Sequence, residues 1–405
     1  MSTLSVTTIN TANGTTDLIM TSGNTAGGKV VVSSSGGVFL QGNSGANAIV
    51  IATNNAITFS TDITASGTVA MASSFKRNRI INGNMLIDQR NAGAQISAAN
   101  LTSGTYMVDR FQYFASQASK FTAQQNAGAV TPPTGFSNYL GMTVASAVSI
   151  GASDYFGISE AIEGFNFADL GFGTASAKTV TLSFVVYSSL TGTFGGALKN
   201  FALTRSYPFS YTIPTANTWT TISVTIAGDT SGTWVGATNN GAALVQFGLG
   251  FGSSNSATAG AWAAGNYSSA TGAVSVVGTS GATFYITGVQ LEVGTKATPY
   301  EMQIYSDQLA QCQRYYYQTT PSFCTLYGFA NATGWVGSLV KFPVTMRVTP
   351  TMAVVGTFTA SNASGVNLAG VSPDGFSLYT QANSTGNLIL YPPASGPGIT
   401  ASAEL

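Results

Sequence analysis

Runs of β-branched and aromatic residues, each of strand length and each closed by Gly, Asn, Ser or Thr, recur through the middle of this chain. "VTLSFVVYSS" (180–189), "TWTTISVTIAG" (218–228), "ALVQFGLGFG" (243–252) and "ATFYITGVQLEVG" (282–294) all have the length and side-chain types that suit a pleated, half-buried surface. Loops such as "GSSNSATAGAWAAGNYSSATGA" separate them without a change of composition. Many strands with irregular loops and few helices imply an all-β, two-sheet sandwich over 75–300, of jelly-roll type.

Two other regions flank this body. Residues 1–74 hold shorter runs ("LSVTTI", "DLIM", "KVVV", "GVFL", "AIVIA", "AITF") between turn residues such as Asn13-Gly14 and Gly36-Gly37. So few large side chains make little core, so a β-stalk intertwined with two further copies is expected there. After the sandwich, Thr298-Pro-Tyr-Glu301 has the form of a capping box, with Thr298 as N-cap and Pro299 in the first turn. Tyr305, Leu309, Cys312 and Tyr316 follow at helical spacing, which predicts a linking helix over 301–318. Beyond it, "SFCTLYGFA", "GSLVKFPVTMRV", "TMAVVGTFTA", "FSLYTQ" and "NLILYPP" predict a β-rich tip over 319–405.

Charge narrows the possible partners. Only 7% of the 405 residues are Asp, Glu, Lys or Arg, against about 25% in an average soluble protein. Lys plus Arg and Asp plus Glu number 14 each, so there is no cationic surplus for a nucleic acid. Lys76, Arg77 and Arg79 form the one basic cluster and read as a solvated domain junction. No run approaches the roughly 18–20 apolar residues of a spanning helix, so no membrane insertion is expected. The start, "MSTLSVTTIN", lacks the basic and apolar regions of a secretory signal. A chain so poor in charge is prone to association, and an obligate oligomer would bury that surface. Two cysteines, Cys312 and Cys324, make no disulfide framework and are expected to stay reduced.

An ordered set of segments carries a family resemblance. "RNRIINGNMLIDQRNAG" (77–93), "YMVDRF" (106–111), the run from "SEAIEGFNFADL" to "TFGGAL" (159–198), "FYITGVQLEVGTKATPYE" (284–301), "QLAQCQRYYYQ" (308–318) and "FPVTMRVTPTM" (342–352) resemble segments of bacteriophage tail-fibre and virion-appendage proteins. The layout of the middle domain is similar to that of jelly-roll carbohydrate-binding modules. The resemblance implies a homotrimeric virion protein, assembled in the host bacterial cytoplasm, that joins tail or baseplate proteins and contacts a host surface glycan. A capsid-decorating cement or head-fibre trimer is the alternative, and a polysaccharide-cleaving spike the third reading.

The chemistry open to the chain is limited. It has no histidine, which removes Ser-His-Asp triads, Cys-His pairs and His-ligated zinc. Glycoside cleavage needs only two carboxylates. Glu160 with Glu163, Asp154 with Glu160, and Asp169 with Glu163 are the pairs to inspect, and none has a supporting pattern. No catalytic residue, metal ligand or cofactor is therefore expected, and the chain is read as a non-enzyme. The glycines of "GTFGGALKN" (192–200) match no phosphate loop and read as turns between strands. For a glycan, an exposed ring with polar neighbours is the usual platform. Trp234 and Trp262 lie in polar, loop-like contexts with Tyr267 close behind, and these three are the candidate sugar-binding residues. The competing reading of the two indoles is packing on their own sheet or at a subunit seam. Trp219 reads as core, and Trp335 with Tyr315–Tyr317 as domain or trimer packing.

Overall fold

Period-2 alternation of large apolar with small or polar residues does build the body of the protein, seen here in a computed structural model. Residues 76–320, 324–394 and 396–405 are described; the stalk expected over 1–74 lies outside them. In chain order the strands of the body are β1 (Tyr106–Val108), β2 (Phe111–Ala115), β3 (Phe121–Gln125), β4 (Leu140–Val144), β5 (Tyr155–Glu163), β6 (Val180–Ser188) and β7 (Gly192–Asn200). They continue as β8 (Arg205–Ile213), β9 (Thr220–Ile226), β10 (Gly241–Phe251), β11 (Ser256–Ala257), β12 (Ala263–Ala264), β13 (Ser269–Ala270) and β14 (Thr283–Val293).

Two sheets result. One has seven strands in the order β1-β2-β5-β10-β7-β8-β12, the other five in the order β3-β4-β14-β6-β9. The chain passes repeatedly from one large sheet to the other, and the pairings within both of these are antiparallel. Between them lies one core. Val180, Leu182, Phe184 and Val186 of β6 face Phe194 and Leu198 of β7, Phe209 and Tyr211 of β8, and Val245 and Phe247 of β10. Phe184 sits at its centre, with ring centroids 5.0 Å from both Tyr211 and Phe247 in edge-to-face contact. The chain is thus an all-β sandwich.

Strand β14 shows how the sequence solves a parity problem. Phe284 and Ile286 point inward, yet so do Val289 and Leu291, three and five residues further on. A bulge between Thr287 and Gln290 absorbs the extra residue, and Gly288 there takes φ +62°. The bulge puts Gln290 and Glu292 on the outer face of the five-stranded sheet, where both are buried.

That burial overrides the capping box. Glu292 accepts from the Thr298 N–H at 2.8 Å and from its hydroxyl at 2.7 Å, and Gln290 Oε1 accepts from the Glu301 N–H at 2.8 Å. The Glu301 carboxylate in turn takes the backbone N–H groups of Lys76 and Asn78. Buried acceptors without donors are costly, so residues 298–301 serve β14 instead of starting a helix. The helix α1 spans Tyr305–Gln313 with Ile304 at its N-cap. Its buried residues are Gln308 and Cys312, whereas Tyr305 is exposed, so the expected apolar face is corrected.

The tip carries β15 (Tyr316–Gln318), β16 (Leu326–Ala330), β17 (Trp335–Lys341), β18 (Thr351–Val354), β19 (Thr359–Ser361), β20 (Asn367–Ser372), β21 (Gly375–Gln381), β22 (Gly386–Tyr391) and β23 (Ile399–Ser402). They make three three-stranded sheets around Leu326, Phe376, Leu378, Leu390 and Ile399. Tyr316, expected on the helix, is therefore a strand residue. Trp335 is exposed on the tip, edge-to-face with Tyr379. Body and tip belong to one compact unit, Ala72–Leu405, and at the polar seam between them Glu163 and Tyr315 are buried. There Glu163 accepts from Arg314 at 2.6 and 3.1 Å and from the Tyr315 hydroxyl at 2.6 Å. Both cysteines are buried free thiols. No helix among the described residues is long and apolar enough to cross a membrane.

Candidate functional site

The outer face of the seven-stranded sheet is not flat. Loops rise on both sides and enclose a cleft of ≈ 460 Å³. Its floor follows from strand parity. On β10, Val245 and Phe247 go to the core, so Leu244 and Gln246 face outward. Register then places Ser159 of β5 and Ala197 of β7 beside Gln246, and Ala161 and Lys199 beside Leu244. Gln112 of β2 extends the first row through its pairing with Ser159.

The walls are aromatic and amide-rich. Phe114 of β2 and Tyr155 of β5 stack with centroids 6.1 Å apart, Tyr106 stands near them, and Phe201 lies in the β7–β8 turn. Asn255, Asn266 and Ser268 come from the segment 253–270, which folds over the edge of the sheet. Such a mixture of apolar ring area with hydroxyls and amides suits a ligand that has both an apolar face and many hydroxyls.

Strand β7 is where sequence reasoning failed most. "GTFGGALKN" forms a strand along its whole length, not a set of turns. Its glycines serve close approach. A Cβ on Gly195 would come 2.3 Å from Ser269 Oγ, and one on Gly196 2.3 Å from the Gln246 carbonyl. The first contact lets segment 253–270 lie against the sheet, and so makes the cleft wall.

Lys199, next to last in this strand, lies on the cleft side of the sheet and is 2% exposed. Its ammonium donates to Asn266 Oδ1 at 2.7 Å and Ser268 Oγ at 2.8 Å. Burial pulls this amine down to about 7. Gln246 donates to Ser159 Oγ at 3.3 Å, while its own Oε1 is buried without a partner. Arg110 also lines the cleft, but its guanidinium is engaged by Glu404, by the Ala161 carbonyl and by the Tyr315 ring.

The structure brings Trp234 and Trp262 together, edge-to-face at 5.6 Å. They do not line the cleft. Both are half-buried against Phe172, and Trp262 also meets Tyr207 from the inner face of β8. Their indole N–H groups are used within the fold, Trp234 donating to Asp229 and Trp262 to the Ala227 carbonyl. Tyr267 is half-buried between the cleft residues Asn266 and Ser268, and its backbone N–H donates to Ser206 Oγ. Trp219, expected in the core, instead packs with Tyr139 and Tyr187 in a separate cluster on the outer face of the five-stranded sheet. Parity again explains this, since Tyr187 and Tyr285 alternate with inward Val186 and Phe284.

The acidic pairs are separated by strand geometry. Glu160 shares the inner face with Ile158 and Ile162, where burial lifts its carboxyl to about 8 and the Ile81 N–H donates to it. Glu163, an odd number of residues on, serves the seam with Arg314. Asp154 orders a loop through Ser116, Gln117 and Gly151, and Asp169 pairs with Arg79. Among the described residues, the cleft is lined by no Asp or Glu.

No sequence-family description and no characterised protein sequence matches the chain. Solved structures with a likeness to it include the enzymatically active domain of tailspike protein 4 of bacteriophage CBA120, at 12% identity and TM-score 0.28, over 54% of this chain. The chain spans only 21% of that protein. A putative sugar-binding protein from Bacteroides thetaiotaomicron is similar at 12% identity and TM-score 0.29, over 54% of this chain and 100% of the other. A family 11 carbohydrate-binding module from Clostridium thermocellum is similar at 15% identity and TM-score 0.24, over 46% and 89% respectively.

Proposed function

We propose that this chain is a non-enzymatic bacteriophage virion protein, a homotrimeric tail fibre whose sandwich holds a host-surface glycan in the cleft of its seven-stranded sheet. The observation that carries the binding half is the cleft itself: stacked Phe114 and Tyr155 beside Gln112, Ser159, Gln246 and Asn255. Rings supply a face for the apolar side of a pyranose, and neutral amides and hydroxyls take up its hydroxyl groups. With no Asp or Glu side chain among the described residues of the lining, a two-carboxylate cleavage has no acid pair to draw on there. The ordered sequence segments and the low charge support the virion and trimer half.

Phe114→Ala and Tyr155→Ala are each expected to weaken adsorption to host cells by roughly tenfold, since a stacking ring contributes on the order of 1–1.5 kcal/mol. Unchanged adsorption in the folded double variant would sink the cleft reading. Loss on Trp234→Ala and Trp262→Ala alone would move the site to the tryptophan cluster. Light scattering should give about three times the 41.4 kDa chain mass, and a stable monomer would refute the trimer. Electron microscopy of particles should find the protein on the tail; a position on the shell would favour the capsid-decorating alternative.

A further inference from the structure

We propose that the ligand of this cleft is an acidic saccharide whose carboxylate pairs with Lys199. The proposal rests on the cleft being the saccharide site and adds the charge class of the sugar.

The first observation is an unmatched cation. An ammonium has three donors, and the two that Lys199 uses go to the neutral oxygens of Asn266 and Ser268. Across the sheet its neighbours are Leu244 on β10 and Ser206 on β8. The other titratable or charged groups lining the cleft are Tyr106, Tyr155, Arg110 and the terminal carboxyl of Leu405, and among the described residues no acidic group makes an ion pair with Lys199. Burial raises the Tyr106 hydroxyl and keeps it neutral, and Arg110 is already held by Glu404. A buried charge without an opposite one is among the most costly features a core can hold. Methionine would fill the same space without that penalty. A ligand carboxylate supplies what the protein leaves out.

The second observation is independent. Gln246 Oε1, on the neighbouring strand and facing the same cleft, is a buried acceptor without a donor. A sugar hydroxyl supplies that donor. Carboxylate and hydroxyl on one molecule therefore match both groups, whereas a neutral sugar matches only the second. A phosphate dianion would bring two charges to a single uncommitted cation and leave one buried without a partner.

Such binding needs the ammonium form, and burial in the protein alone brings the amine down to about 7. Affinity for the acid is therefore expected to fall by up to about 100-fold between pH 6 and pH 9, as the competent fraction of Lys199 shrinks. The test is calorimetric titration of the full chain with tetragalacturonate and sialyllactose, each beside its methyl ester, and with a sugar phosphate. The proposal expects at least one acid to bind ten or more times tighter than its ester at pH 6, and only the acid to weaken with pH. Lys199→Met should bring acid down to ester, and Lys199→Arg should keep the preference while removing the pH dependence. Acid and ester binding equally, and both lost in Phe114→Ala, would overturn the acidic class and leave the cleft reading standing. The sugar phosphate binding tightest would overturn the carboxylate assignment. Silence from every probe would overturn the cleft reading as well.

Discussion

Replacing Glu404 with alanine is expected to lower the stability of the chain by roughly 3–5 kcal/mol, the cost of orphaning one member of a buried ion pair. Glu404 lies just after β23 and reaches from the tip into the body. One carboxylate oxygen accepts from Arg90 at 2.9 Å, the other from Arg110. Arg110 is 1% exposed, adopts φ +73°, and stacks on the Tyr315 ring at 3.7 Å. Without Glu404 its charge keeps a ring face and one carbonyl but no carboxylate. Glu160 is near enough to feel Arg110, yet at neutral pH burial keeps it protonated.

A second consequence separates charge from packing. Glu404 itself helps to hold the Glu160 carboxyl up, so its removal lets Glu160 ionise at lower pH and take over part of its role. The deficit of Glu404→Ala should therefore be largest near pH 6 and smaller at pH 8.5. Urea unfolding at both pH values measures this. The double variant Glu404→Leu with Arg110→Met removes both charges and should recover most of the loss. A loss below about 1 kcal/mol at pH 6, or no recovery in the double variant, would mean that the seam is held by packing and backbone bonds instead.

The legibility of this fold tracks the range over which each signal acts. Strands β6, β9, β10 and β14 were readable because period 2 is local and strongly marked in side chains such as Val180, Leu182, Phe184 and Val186. The bulge at Gly288 was not, since one extra residue looks like a lapse in alternation until the partner strand β6 fixes its register. The capping box misled for a related reason. Thr298 and Glu301 are the right residues at the right spacing, but the demand that captured them comes from Gln290 and Glu292, buried only once the sandwich exists. The cleft was the least legible part. Lys199 sits in a glycine-rich run whose glycines signal turns locally, and only the approach of Ser269 and Phe209 gives them a strand role. Phe114 and Tyr155 become neighbours through pairing of β2 with β5, some forty residues apart, which no local pattern announces. Trp234 and Trp262 were visible as polar-flanked indoles, but their contacts with Phe172 and Tyr207 were not.

Lys199→Met is expected to stabilise the protein at pH 6, by an amount on the order of 4 kcal/mol if the amine is lowered from 10.5 to about 7 in the fold. Below about pH 7 the lysine is charged in both folded and unfolded chains, and the folded state bears the whole cost of its burial. Between about 7 and 10.5 the folded chain has released a proton that the unfolded chain still holds, so the wild type gains stability as pH rises through that window. The methionine variant lacks this gain. Glu160 acts in the opposite sense, since its raised carboxyl costs stability as pH rises from its ordinary value towards 8. It is present in both proteins and cancels in the difference between them. The stability gap between variant and wild type should therefore shrink to less than half its pH 6 value by pH 9. Urea unfolding at pH 6, 7.5 and 9 reads the gap directly. A variant less stable than wild type at pH 6 would show that Asn266 and Ser268 already compensate the ammonium fully. Its charge would then be a structural fixture that calls for no acidic ligand.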